Sequence, residues 1–429
     1  MKIAIIGAGI SGNMSAYLLN RSHDITVYEK ANRPGGHSAT VDIQYTEQGP
    51  EIAVDTGFIV YNEANYPGLT QLFDELQVET QSTDMSFCFS RNQGSLEWSG
   101  KNMRAIFAQK ANILKPRFWK MLLEILRFNK LALKANETGS TEQLSLKEWL
   151  DQNAFNQNFR DTYLLPMAAS IWSTPLDEVN NFPASSLIQF FCNHRLVNSD
   201  RPQWRTVQNG SREYVKKLIA GFEDRIRYAS EITKVDRTED GVFITNHGQT
   251  EHYDAVVFAT HTNEALALLG DQATDDEKDC LGDIKYLPNQ VYLHRDLRFM
   301  PKRPSVWSSW NYLSFANGDD AYPVVSYWMN LLQNIPNETP LFVTLNPPFA
   351  PAPELTYGEY SYDHPQYNQD AIAAQQRIKS FQGLNRTWFC GAWMGYGFHE
   401  DGLQSALDVC RDFGIHWAYN DINILEAAE

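Results

Sequence analysis

Lys2-Ile3-Ala4-Ile5-Ile6-Gly7-Ala8-Gly9-Ile10-Ser11-Gly12-Asn13-Met14-Ser15-Ala16-Tyr17-Leu18-Leu19 is the stretch whose reading decides the fold. Residues 2–7 form a short apolar run closed by glycine, as in a buried strand. Residues 11–20 place Met14, Leu18 and Leu19 on one face of a helix. Between them Gly7-Ala8-Gly9-Ile10-Ser11-Gly12 makes a GxGxxG turn. In such a turn the first glycine permits the tight bend, the second lets backbone approach a pyrophosphate, and the third lets helix pack on strand. The helix start then offers unpaired N–H groups to phosphates. Residues 24–29 are a second strand ending in Glu29, where a carboxylate can accept hydrogen bonds from ribose hydroxyls. Strand, turn, helix, strand and acid within about 30 residues match a βαβ unit and predict a dinucleotide site.

Working outward, Glu29 is followed by Lys30, then by Arg33-Pro34-Gly35-Gly36-His37-Ser38. Here the chain resembles the flavin amine oxidase superfamily, which includes protoporphyrinogen oxidases and phytoene desaturases. The resemblance implies FAD rather than NAD, with Arg33, Gly35 and Gly36 at the pyrophosphate and Lys30, His37 and Ser38 beside it. His37 stands where the family often has arginine. Val54-Asp55-Thr56-Gly57-Phe58-Ile59 resembles the segment that returns to the flavin ring and ribityl chain, although a strand-end turn also explains Asp55 and Gly57. Ile232 falls where the family's backbone meets the adenine, and Thr260 ends a strand beside the cofactor. Gly391 and Ala392, then Gly397-Phe398-His399-Glu400-Asp401-Gly402-Leu403-Gln404-Ser405, resemble the C-terminal flavin motif, with His399, Glu400, Asp401 and Ser405 nearest the ring. A helix N-terminus there would stabilise negative charge on a reduced flavin. Ala392 and Trp393 replace an acid the family often has, and no cysteine matches the covalent flavin link, so non-covalent FAD is expected.

Trp310-Asn311-Tyr312, Tyr327-Trp328-Met329-Asn330 and residues 397–402 are similar to bacterial NAD/FAD-binding proteins encoded near cyclopropane-fatty-acid-synthase-like methyltransferases. That resemblance implies an acyl chain or other apolar substrate, and a lipid methyltransferase as a partner. Three readings follow: a flavin oxidoreductase desaturating an acyl chain, a flavin amine oxidase, and an FAD-bound partner protein with little activity of its own. The catalytic candidates are His399, from its motif, and Lys302, as a counterpart of the amine oxidases' lysine. Phe58, Trp310, Tyr312, Tyr327, Trp328 and Trp393 could line the pocket, and ordinary core packing explains each as well.

At 429 residues the chain exceeds one hydrophobic core. The expected fold is α/β and amine-oxidase-like: a discontinuous Rossmann-type FAD-binding domain from residues 1–75, 205–265 and 385–429, and an α+β substrate domain from residues 76–204 and 266–384. The net charge of −16 argues against a nucleic-acid partner. That charge is uneven: residues 101–134 hold nine basic residues and one acid, Glu124, so they carry +8 and the remainder −24. With Ile106, Phe107, Ile113, Leu114, Phe118, Trp119, Met121, Leu122, Leu123, Ile125, Leu126 and Phe128 interleaved, this helical stretch reads either as a peripheral membrane contact or as a solvated basic face. Five cysteines with no CxxC pair and ten histidines with no HExxH spacing predict no metal. The cysteine usage, and the absence of any run near the roughly 20 apolar residues a span needs, suit a cytoplasmic protein, peripheral at most to the inner membrane face.

Overall fold

The structure is a computed structural model that describes residues 1–141, 144–198, 200, 202–315 and 323–417. Lys2–Ile6 and Asp24–Tyr28 run parallel, with Ile5 opposite Val27. Parallel neighbours need a crossover, and the helix Ile10–Leu19 supplies it. Ala255–Phe258 pairs in parallel on the other side of Lys2–Ile6, and Thr387–Phe389 pairs in parallel beyond it. Ile226–Arg227 closes the far edge, giving a five-stranded sheet among the described residues.

The strands are apolar at successive positions because both faces of this sheet are covered. Ile3, Ile5, Val27 and Val257 pack beneath the helices Ile10–Leu19, Arg212–Ile219 and His399–Asp412. Ala4, Ile6, Tyr28 and Phe258 face the other way, onto Val235, Val242 and Ile244 of the antiparallel strands Ile232–Thr238 and Gly241–Asn246. The helices Asp275–Asp283 and Gln369–Ile378 complete that second face through Leu281, Ala374 and Ile378. The sequence reading gave these two helices to the second domain. They pack on the parallel sheet because its second face would otherwise be left open at that end.

A second sheet of seven described strands runs Thr356–Pro365, Tyr286–His294, Phe342–Leu345, Val324–Trp328, Trp310–Ser314, Phe87–Arg91, Leu96–Ser99. Neighbours are antiparallel except Trp310–Ser314 with Phe87–Arg91. The stretch at residues 101–134 that reads as helical follows directly on the last of these strands, which holds Trp98. The chain continues there as the helices Met103–Ile106, Pro116–Thr138 and Leu146–Gln152. Pro116 starts the long helix at the position that tolerates a missing N–H, and Gly139 ends it in a left-handed turn at φ 64°. Its buried side, with Phe118, Met121, Phe128 and Ala132, joins Phe159, Ile188 and Phe191 in a helical lobe.

Candidate functional site

The carboxyl ends of the parallel strands open onto one cavity of about 790 Å³. Gly7 and Gly9 follow the first strand, Glu29 the second, Thr260 the fourth in sequence and Gly391 the fifth, and all of them line it. This is the crevice in which open α/β sheets bind nucleotides.

The glycine turn is shaped by close approach. Gly7 has φ +103°, and a Cβ there would stand 2.5 Å from the Ala259 carbonyl oxygen. A Cβ on Gly12 would stand 1.8 Å from the Gly7 carbonyl oxygen, so the helix can sit on its strand only with glycine at this position. Gly9 is different: its φ is −75° and a Cβ would meet no protein atom within 4 Å. It faces open cavity, as a residue leaving room for a phosphate does. Gly9 is also the N-cap of Ile10–Leu19, with no side chain capping that helix and no acid in its first turn. Its unpaired N–H groups are therefore free to meet an anion. Gly36 closes in from the other loop, where a Cβ would lie 3.2 Å from the Gly9 Cα. Glu29 is fixed by backbone: Oε2 accepts from Ala8 N at 2.8 Å and Oε1 from Ala31 N at 2.8 Å. Each oxygen keeps a lone pair for a hydroxyl.

Lys30, Gly35, His37, Thr56, Gly57, Phe58, Ile59, Ile232, Ala392 and His399 line the same cavity, together with Ala8, Ile10 and Ser11 of the turn. Other candidates stand behind the wall. Arg33 donates to the Gly36 carbonyl at 2.9 Å and so braces the glycine loop. Ser38 shares a hydrogen bond of 2.8 Å with His399 Nε2, whose ring stacks on Phe58 at 3.8 Å. Burial pushes the His399 imidazole down to about 3. It is neutral, with Nε2 hydrogen-bonded to Ser38 and to the Tyr214 hydroxyl, and so holds the face on which Phe58 stacks. Glu400 accepts from the backbone of Gly68 and Leu69, tying the C-terminal helix to Pro67–Glu75. Asp401 accepts from Tyr396 N and Phe398 N at its own helix start, and burial raises it to about 7. Ser405 accepts from Gly391 N at 3.0 Å. Asp55, fully buried, accepts from Ser211 and Thr40 and acts as a strand-end anchor.

Lys302 is a correction. Its backbone N–H donates to Glu97 at 2.7 Å and its side chain lies against Gly94, on the outer edge of the second sheet. Among the described residues the lysine that lines the cavity is Lys30, 3.9 Å from Glu264.

Beyond the nucleotide end the same cavity continues as an apolar chamber. Met167, Ile171, Phe190 and Leu196 come from the helical lobe, and Val291, Trp310, Tyr327 and Leu345 from the second sheet. Of the expected aromatics, Phe58, Trp310, Tyr327 and Trp393 line it, while Tyr312 stacks on Phe89 in the core at 5.5 Å. Sequence reasoning missed the helical-lobe residues, because an apolar side chain facing a chamber has the same spacing as one facing a core. It also missed Tyr362 and the rings of His261 and His364, which gather within 6.5 Å of the His37 ring centroid. All three histidines are held below the usual imidazole range, chiefly by burial; Glu264 and Asp363 oppose the shift on His261, and Asp363 opposes it on His364. Among the described residues the carboxylates lining the cavity are Glu29, Glu231, Glu264 and Asp363. Glu264 pairs with Lys30 beside Glu29, and Glu231 precedes Ile232, so these three stand at the nucleotide end, while Asp363 lies on the second-sheet strand Thr356–Pro365 opposite Pro288.

Comparison with known proteins agrees with this geometry. Residues 5–76 match the model of the NAD(P)-binding Rossmann-like domain. A coproporphyrinogen III oxidase of Staphylococcus aureus is 38% identical over 96 residues, 21% of this chain and 20% of its own. The match therefore spans about a fifth of that relative's length. Whole-chain likeness is structural. A fatty acid isomerase from P. acnes that produces CLA superposes with TM-score 0.68 at 16% identity, over 96% of this chain and 98% of its own. A cofactor-binding redesign of putrescine oxidase gives 0.67 at 15% identity over 96% and 98%. Cyclohexylamine oxidase from Brevibacterium oxydans gives 0.65 at 13% identity, with 96% and 99% covered. The fold is thus α/β and amine-oxidase-like, with a Rossmann-type dinucleotide-binding domain.

Proposed function

We propose that this chain is an FAD-dependent oxidoreductase acting on an apolar substrate, an acyl chain in particular. The observation that carries the reading is the continuity of the cavity: a glycine-walled, acid-anchored nucleotide end opens into a chamber lined by Met167, Ile171, Phe190, Leu196, Val291 and Leu345. A diamine would call for carboxylates facing the substrate, and among the described lining residues Glu29 and Glu264 stand at the nucleotide end beside Lys30.

The residues present fit the cofactor. Gly9 and the bare start of Ile10–Leu19 leave room and donors for a pyrophosphate, and Glu29 for a ribose. When bound, FAD supplies a two-electron acceptor for hydride from a substrate C–H bond. The chain positions, and its apolar chamber excludes water from the reacting carbon. The stacked pair of Phe58 and His399 is held rigid by Ser38 and Tyr214, and offers a flat wall at the junction of the two ends.

The test is anaerobic. Purified protein loaded with FAD is mixed with phospholipid-bound or free fatty acyl chains, and separately with mono- and diamines. Bleaching of the flavin's visible absorbance by acyl chains and not by amines is the expected result. Bleaching by amines alone would overturn the substrate class, and a flavin reduced by neither would favour a partner protein with little activity of its own.

A further inference from the structure

The face formed by residues 103–134 has no role in the site described. Large apolar side chains exposed elsewhere among the described residues are scattered singly, as at Leu297, Phe349 and Leu384. Here they are gathered: Leu114 is 85% exposed, Leu123 64% and Leu126 67%, with Trp119 and Ile113 beside them. Trp119, Leu123, Leu126 and Lys130 recur every three or four residues, so they share one face of Pro116–Thr138. Phe118, Met121, Phe128 and Ala132 occupy the opposite face and pack into the lobe. The Trp119 indole N–H donates to the Ile113 carbonyl at 2.8 Å, which joins the helix start and the turn before it into one patch. Exposed Lys120, Arg127 and Lys134 run along one side of the apolar stripe; Glu124 lies 3.3 Å from Arg127, and the acids Glu137 and Asp200 stand at the far end, beside Lys130 and Lys134.

We infer that this face docks on an anionic lipid bilayer, with Leu114, Trp119, Leu123 and Leu126 entering the interface and the lysines and arginines meeting headgroup phosphates. Charge selects this occupant. Residues 101–134 carry +8 in a chain of −16, so a two-fold contact between copies through this face would set like charge on like charge, whereas an anionic surface is complementary. The amphipathic arrangement, an apolar stripe with basic residues along one side and Lys130 at its end, is one that lies in a membrane interface and lets lysine stems reach out of it. The helix also packs on Ala184–Asn193, whose Phe190 lines the apolar chamber, so the docked face belongs to the lobe that walls the substrate end. The docking does not rest on the proposed oxidation, and its test does not depend on flavin.

The test is co-sedimentation of the full chain with vesicles of phosphatidylglycerol and phosphatidylcholine, against vesicles of phosphatidylcholine alone. Binding at least about tenfold tighter to the anionic vesicles, and weakened by added salt, is expected. Leu123→Glu/Leu126→Glu, on an exposed face, should lower that binding about tenfold or more while leaving the thermal melt unchanged. Lys120→Glu/Lys130→Glu should do the same through charge alone. Equal binding to neutral vesicles, or wild-type binding by both variants, would overturn the inference. So would a concentration-dependent oligomer in solution that the leucine variants convert to monomer, since the face would then belong to a second copy.

Discussion

At the scale of single residues, two glycines of one motif have opposite fates on substitution. Gly9→Val puts its side chain into open cavity at a φ any residue adopts. The variant should melt within a degree or two of the parent and yet lose at least about tenfold in FAD affinity, read by flavin fluorescence. Gly12→Ala instead drives a methyl into the Gly7 carbonyl and should yield little folded protein. A Gly9→Val protein with normal affinity would show that the pyrophosphate lies elsewhere. The motif glycines and Glu29 were legible in sequence because close backbone approach admits few residue types. His399 was legible as a position and not as a role: only the fold shows that its ring is bonded on Nε2 and stacked on Phe58. Lys302 was misplaced because a lone lysine carries no local sign of which sheet edge it reaches.

Elements bring together what the chain keeps apart. The helix Leu165–Trp172 sends Ile171 to the chamber, and the strand Tyr286–His294 sends Val291. Ile171→Asp should retain FAD binding and lose acyl-dependent flavin reduction, because an unpaired carboxylate in the chamber opposes entry of an apolar chain. Anaerobic titration of the variant checks this, and unchanged reduction would remove the chamber from the account. On the far face of the parallel sheet, Arg237 and Glu277 form a two-pronged ion pair at 2.6 and 2.9 Å, both almost fully buried. It fastens the strand Ile232–Thr238 to the helix Asp275–Asp283. Glu277→Ala strands a buried guanidinium and should cost about 3–5 kcal/mol in denaturant unfolding. The parallel strands were legible because burial on both faces leaves unbroken apolar runs such as Ala255-Val256-Val257-Phe258. The placement of Asp275–Asp283 was not, since its sequence Asp-Asp-Glu-Lys-Asp-Cys-Leu-Gly-Asp reads as a solvated helix and buries little more than Glu277, Cys280 and Leu281.

For the whole molecule, burial sets how stability follows pH. His194, His294 and His364 are pushed down to about 4 and His399 to about 3, chiefly by desolvation. Folded, they stay neutral; unfolded, they take up protons below about 6.5. Their contribution is therefore complete above pH 6.5 and is lost as pH falls toward 4. Asp55, raised by burial to about 6, and Asp401, raised to about 7, run the opposite way: their protonated forms favour the fold at low pH, and that gain is lost as pH rises through 6–7. With seven histidines lowered, His23, His37 and His261 included, against three raised carboxyls, Glu400 included, the melting temperature should fall between pH 6.5 and 4.5, and His194→Phe should flatten part of that fall. A melt independent of pH across this window would contradict the burial of these rings.

The central claim is that the crevice at the carboxyl ends of the parallel strands holds FAD. The most direct measurement is titration of flavin-free protein with FAD, followed by quenching of flavin fluorescence, with NAD as competitor. One FAD per chain, bound non-covalently and undisturbed by excess NAD, is the predicted result. A protein that takes up no FAD, or that binds NAD in its place, would contradict the account.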